Sequence, residues 1–205
     1  MEQIHFGNFF ATPVVSQMLS DNAALNAQLR ASILEHERAH PGVELTNFGG
    51  WHSETGRLEF CGTAGERLIR HIHEMIGETT RQLFASFTRP LTPMNWTFSA
   101  WANVNRKGHF NQVHTHPGAT WSAVYYIDHG EADDKVEGTA LHLYDPNPAR
   151  TNLFYPELSA QDVLFRPTPG LMVLFPSYVP HAVLPHQGER ERLSIAFNVR
   201  REPFP

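Results

Sequence analysis

From residue 93 onward the chain runs as short apolar or alternating stretches, each closed by glycine or proline. This punctuation restricts the fold more than any other feature. Candidate strands span 95–103, 120–128, 139–144, 171–175, 182–184 and 192–199. Between them lie Gly108, Pro117-Gly118, Gly130, Gly138, Pro146, Pro148, Pro167, Pro169-Gly170, Pro176, Pro185 and Gly188. Parallel strands need long crossover connections, and no helical period alternates with these runs, so the strands are expected to be antiparallel.

The first half reads differently. Val14, Met18, Leu25, Leu29, Ile33 and Leu34 recur at helical intervals over 13–39, ahead of Pro41-Gly42. A second stripe over 65–87 carries Leu68, Ile69, Ile72, Met75, Ile76, Leu83 and Phe84 and stops at Arg89-Pro90. Between the helices, Asn47 to Ser53 reads as an ordered loop. Helices first and strands afterwards predict a mainly β, α+β architecture: a double-stranded β-helix, cupin-like, supported by N-terminal helices. At 205 residues one domain is expected over 1–205, with 1–92 as helical support and 93–205 as the jelly-roll core.

Composition narrows the partners. The apolar fraction is 41%, with 14 Phe, 5 Tyr and 4 Trp, as in an ordinary globular core. A net charge of -5 without long runs of one sign gives no reason to expect nucleic acid or an anionic membrane. Cys61 is the single cysteine, which excludes an intramolecular disulfide and fits a reducing compartment. The N-terminal stretch lacks a signal-peptide pattern and no apolar run reaches about 18 residues, so a cytoplasmic location is expected. Monomer and homodimer both stay open.

Two histidines one residue apart, His114 and His116, follow GHFNQV and sit at the end of one strand, just before a turn. On extended backbone such residues share a face, so both imidazoles can reach one metal ion. His181, just after the apolar run 171–175 and its turn, can supply a third ligand from a distant strand, leaving positions open for small molecules. A His-x-His pair alone is as often merely structural; the third histidine raises its weight. One of the three could instead orient the others while Asp128, Glu137 or Asp145 supplies a carboxylate. A further arrangement has His116 with Gly118 leaving a vacancy for an anion. His109, His129, His142, His186, His71 and His73 read as structural or solvent-facing.

Residues 192–199 alternate: Leu193, Ile195, Phe197 and Val199 take one face, while Arg192, Ser194, Ala196 and Asn198 take the other. A guanidinium grips a carboxylate through two hydrogen bonds, and a neighbouring hydroxyl adds another. Buried without a partner it is costly, so either an internal salt bridge or a bound anion is expected at Arg192.

These residues resemble the iron(II)/2-oxoglutarate-dependent oxygenase superfamily, most closely a small bacterial group within it. The likeness rests on GGWHS at 49–53, WANVNRKGHFNQVHTHPGATWSAVYYI at 101–127, GLMVLFPSYVPHAV at 170–183 and ERLSIAFNV at 191–199. It implies Fe(II) held by His114, His116 and His181, with His116 standing where the wider superfamily has a carboxylate. It also implies 2-oxoglutarate bound through Arg192 and Ser194, O2 as oxidant, and hydroxylation of a C–H bond of a small-molecule substrate. Asn103, Asn111 and Tyr125 are additional candidate co-substrate contacts. Trp51, His52, Ser53 and Trp101 are candidates for the substrate pocket, with core packing as the alternative for the tryptophans. Two other readings remain: a cupin-type three-histidine enzyme without 2-oxoglutarate, and a non-catalytic metal- or anion-binding barrel.

Overall fold

The structure, a computed structural model, describes residues 11–85, 95–131, 138–147 and 162–202. Its elements are β1 (Val15–Met18), α1 (Asn22–Ala39), β2 (Asn47–Phe48), β3 (Trp51–His52), α2 (Gly62–Phe84), β4 (Trp96–Asn105), β5 (Phe110–His114), β6 (Trp121–Asp128), β7 (Leu141–Tyr144), β8 (Asp162–Phe165), β9 (Leu171–Pro176), β10 (His181–Val183) and β11 (Arg192–Arg201). Every pair of strands among the described residues is antiparallel. One sheet has the order β1-β9-β6-β11-β4-β3 and the other β2-β5-β10-β7-β8.

The two faces of the larger sheet do different work, and alternation decides which residue goes where. Leu193, Ile195, Phe197, Val199, Ala102, Val104 and Tyr125 join Leu25, Leu29 and Ile33 of α1 and Leu68, Ile72 and Ile76 of α2 in the main core. Burying that helical stripe is what holds both helices on the sheet, at roughly 1.5–3 kcal/mol for each fully buried large side chain. A smaller cluster, Val124, Tyr126, Leu141, Leu143, Val173, Phe175 and Val179, combines residues of both sheets. Here lies the interior of the β-helix.

Several expectations need correction. The first helix begins at Asn22, not 13, and Val15–Met18 is a strand on the edge of the larger sheet, paired with β9. Val14 and Met18 satisfy the helical period, but positions four apart also share a strand face; Met18 is in fact half exposed. Asp21, with a left-handed backbone at φ 52, breaks the chain between strand and helix, and the Asn22 side chain donates to Leu19 O at 2.9 Å. The second helix starts three residues early, at Gly62; its expected last residues, 86 and 87, lie outside the described part. The loop 47–53 contains two short strands, Asn47–Phe48 and Trp51–His52, which pair with β5 and β4. β5 is the strand expected to end at the histidine pair, whereas β8 is not expected from the sequence pattern.

β11 occupies an interior position of the larger sheet. It lies between β4 and β6, with Arg192 opposite Asn105, Ser194 opposite Asn103 and Asn198 opposite Ser99. Its entry is fixed by Gly130. That residue has φ +67, and a Cβ there would meet Arg190 O at 2.5 Å and Arg192 N at 2.8 Å. Gly130→Ala should therefore cost at least about 1–3 kcal/mol through left-handed backbone strain alone. Chemical denaturation checks this; an unchanged unfolding midpoint would contradict it.

Candidate metal and anion site

β5 and β10 bring two histidines together by direct strand pairing: His114 and His181 are register partners, although 67 positions separate them in the chain (181 − 114). His116 lies beyond the end of β5, so it is not held by strand alternation as expected. Its backbone N–H instead donates to Ser177 O at 3.0 Å, which ties the turn to the segment leading into His181. The rings stand 4.3 Å (His114–His181), 4.8 Å (His114–His116) and 5.0 Å (His116–His181) apart. One ligand nitrogen from each lies within 4.8 Å of the others. Small rotations would bring all three onto one divalent ion at the roughly 2.0–2.1 Å usual for imidazole.

The hydrogen bonds around the rings suit metal binding. His114 Nδ1 lies 2.7 Å from Gln112 O and His181 Nδ1 lies 2.9 Å from Val179 O. A carbonyl only accepts, so each ring carries its proton on Nδ1 and presents the Nε2 lone pair. Asn198 serves His116: its side-chain amide lies 3.3 Å from His116 Nδ1 and accepts from Ser122 Oγ at 3.0 Å. With the amide turned over, Oδ1 faces an Nδ1–H and the nitrogen donates to Ser122, in the same space.

Burial holds the cluster neutral. It pushes the His181 pKa down to about 3, with His114 next in effect, and the His116 pKa down to about 4, with His114 and His52 adding to the shift. His114 is lowered by burial as well. Among the described residues no carboxylate joins the three histidines. Asp128 is engaged by Arg30 at 3.3 Å and Arg190 at 3.7 Å. Asp145 accepts from Asn147 N–H at 2.8 Å. Glu137 falls outside the described residues.

A cavity of about 330 Å³ opens beside the triad, lined in part by Trp101, Asn103, Asn111, Tyr126, Phe175 and Ser194. At its floor is Arg192, only 1% exposed. Its Nη1 donates to Ser194 Oγ at 3.1 Å, while Nε and Nη2 are buried without a hydrogen-bond partner. The guanidinium carbon sits 5.2 Å from the centre of the Tyr126 ring. The Tyr126 hydroxyl is near enough to support the arginine's charge against the burial that lowers its pKa, yet it too has no well-formed hydrogen bond. Among the described residues no salt bridge neutralises Arg192.

Of the other residues singled out, Asn103, Asn111, His52 and Trp101 line this cavity. His52 stacks on Trp101 at 5.4 Å and, with its pKa lowered by burial, lies 2.5 Å from Ser53 O through Nδ1. Three residues do not face it. Tyr125 points to the helices, where its hydroxyl donates to Asn26 Oδ1 at 2.6 Å; the adjacent Tyr126 is the one that faces inward. Trp51 donates to His40 O at 3.0 Å and borders a separate hollow. Ser53 donates to Glu54 O and accepts Ala102 N–H, fastening the loop to β4. Tyr125 is a candidate contact through the resemblance alone, and the alternation of β6 turns it toward the helices. His186 bonds Thr139 Oγ1 and Arg190 O, His73 packs on Phe98, and His71 pairs with Glu74.

Residues 99–198 match the family model described as "Putative 2OG-Fe(II) oxygenase". Among solved structures, a prolyl-4-hydroxylase from Pseudomonas putida superposes with a TM-score of 0.67 at 20% identity, covering 94% of each chain. A Trichoplax adhaerens prolyl hydroxylase, in complex with a hypoxia inducible factor peptide fragment, gives 0.64 at 14% identity over 91% of this chain and 83% of that one. HygX from Streptomyces hygroscopicus, with nickel and 2-oxoglutarate bound, gives 0.62 at 10% identity over 94% and 84%. These likenesses establish the fold, a double-stranded β-helix with supporting helices. No curated protein matches the sequence.

Two outcomes are expected. Asn198→Ala, which removes the partner of His116 Nδ1, should weaken divalent metal binding about 10–100-fold; equal affinity in a chelator competition would contradict that role. The histidine pKa values fall on folding, so the unfolded chain binds more protons and the native state loses stability as pH drops from about 6.5 toward 4 and 3. Melting temperatures of metal-free protein should decline steadily from pH 7 to pH 5, whereas a flat profile would contradict the assignment.

Proposed function

We propose, from the match of residues 99–198 to the 2OG-Fe(II) oxygenase family model and from the site described above, that the chain is an Fe(II)- and 2-oxoglutarate-dependent oxygenase that hydroxylates a C–H bond. The family's cofactors are Fe(II), 2-oxoglutarate and O2. The acceptor is a small molecule or amino-acid-like compound. The overall balance is one 2-oxoglutarate, one O2 and one C–H giving succinate, CO2 and one C–OH, with one oxygen atom in succinate and the other in the product.

Arg192 carries this reading. It is a fully buried guanidinium with two N–H-bearing nitrogens unbonded, and it faces the cavity that holds the three imidazoles. A metal site alone suits many enzymes; a metal site with a desolvated cation at the end of its cavity suits a diacid. Tyr126 and Ser194 beside the guanidinium favour a carboxylate at this point. Ser194 Oγ already accepts from Arg192 Nη1, so its own hydrogen is available to a second acceptor. The cupin-type alternative gives no reason for such an arginine.

His114, His116 and His181 would hold the iron, and their carbonyl and amide partners orient them before it arrives. When bound, the iron and 2-oxoglutarate supply the oxidising chemistry. The protein's share is positional. Arg192 fixes the co-substrate's distal carboxylate, Asn103 and Asn111 line the span between floor and triad, and Val124, Leu141, Phe175 and Ala196 keep that span apolar and restrict water.

Anaerobic titration of Fe(II)-loaded protein with 2-oxoglutarate should show saturable binding and a weak visible charge-transfer band. Under air, succinate should form. Arg192→Leu should weaken 2-oxoglutarate binding by about 1.5–3 kcal/mol, the range for hydrogen bonds to a charged group. No binding by the unaltered protein would sink the proposal, and unchanged affinity in the variant would remove Arg192 as the anchor.

A further inference from the structure

β11 continues past the co-substrate anchor on the same face. Arg192, Ser194, Ala196, Asn198 and Arg200 all line the cavity. Steps of two residues place them about 6.6 Å apart along the strand. Exposure grows along the series, from Arg192 at the buried floor to Arg200 at the open mouth. Asn198 touches His116, so Arg200 lies one step outside the triad. It also overhangs the turn that follows His116: a Cβ on Gly118 would be 4.0 Å from Arg200 Nη2. Two guanidinium groups thus bracket three imidazoles along one strand.

Nothing among the described residues of the cavity compensates the outer one. None of the described residues lining it is acidic. The Arg200 guanidinium has no hydrogen bond or ion pair among the described residues. Glu202, two positions further, accepts instead from Thr97 Oγ1 at 2.8 Å, and Thr97 is the register partner of Arg200. An unneutralised cation at the mouth of a low-dielectric cleft draws anions toward it.

We propose that Arg200 is a second anion anchor, which binds a carboxylate of the primary substrate and so selects small carboxylic acids, amino-acid-like ones included. This rests on the co-substrate reading of Arg192, since 2-oxoglutarate must occupy the inner anchor for the outer one to serve the substrate. A planar two-oxygen group suits a single guanidinium fork, and Ser99 and Thr55 add hydroxyls to the lining of the same cavity. The stacked pair His52 and Trp101 gives a flat wall on the same cavity, with Trp101 5.6 Å from His116. The substrate's apolar body packs there, and its reacting C–H faces the triad.

The test uses protein loaded with Zn(II), which supports no turnover, and saturated with 2-oxoglutarate. Ligand-observed NMR titrations compare N-acetyl amino acids with the corresponding carboxamides, which keep shape and lose charge. At least one acid should bind about tenfold more tightly than its amide, a 1.4 kcal/mol preference. In Arg200→Gln the preference should fall to within about twofold, and Arg200→Lys should retain part of it. Arg200 is exposed, so these variants leave the core intact. If no acid outbinds its amide, or the preference survives Arg200→Gln, the proposal is overturned. Binding of 2-oxoglutarate to the unaltered protein is read in the same samples. Its absence would contradict the co-substrate reading, whereas normal 2-oxoglutarate binding without a carboxylate preference would contradict the role of Arg200 alone.

Discussion

Burying Arg192 without a carboxylate partner costs several kcal/mol, and the interior of the β-helix is organised around what offsets that cost. The guanidinium has one hydrogen bond to Ser194 and the ring of Tyr126 nearby, and no counter-charge among the described residues. Such a residue persists in a fold of ordinary marginal stability only where the main core carries the load. Here the odd positions of β11 do so, as Leu193, Ile195, Phe197 and Val199 pack under α1 and α2. Stability and binding are therefore assigned to opposite faces of one strand. Its register with β4 and β6 couples the two, because a slip of one residue would turn Arg192 into the helices and Leu193 into the cavity.

The histidine cluster obeys the same electrostatic logic. Three imidazoles kept neutral by burial can meet a divalent ion without first losing protons, and they leave its full double charge in place. A carboxylate at position 116 would have cancelled part of it. The cavity of this protein is thus cationic along its length once a metal is present, from Arg192 through the triad to Arg200, with no acidic residue among the described residues of its walls. Anionic ligands are the natural occupants.

How far the sequence foretells this can be traced through particular residues. The two helices ahead of the main run of strands, the apolar stripe of α2 and the inward face of β11 are legible because burial is written into periodicity. Periodicity draws helix α1 too long because Val14 and Met18 fit two periods at once, and the break lies in the backbone of Asp21, which no hydropathy pattern reports. Of the site, His114, His116, His181, Arg192, Ser194, Asn103, Asn111, His52 and Trp101 all line the cavity. The resemblance offers Tyr125 where Tyr126 faces inward, and two adjacent tyrosines on a doubly buried strand carry no sign of which face is which. Asn198 and Arg200 are within reach of sequence reasoning: they extend the same alternation as Arg192 and Ser194. What alternation cannot supply is that their neighbours, His116 and the Gly118 turn, come from a loop placed by Ser177 rather than by a strand.

The central claim is that a single diacid spans the buried arginine and the three-histidine centre. A crystal structure of the protein with Mn(II) and 2-oxoglutarate tests it most directly. The account predicts one metal ion shared by His114, His116 and His181, with the 2-oxo acid end of the ligand beside it and the distal carboxylate on Arg192 and Ser194. Metal bound elsewhere, or the distal carboxylate lying away from Arg192, would contradict it.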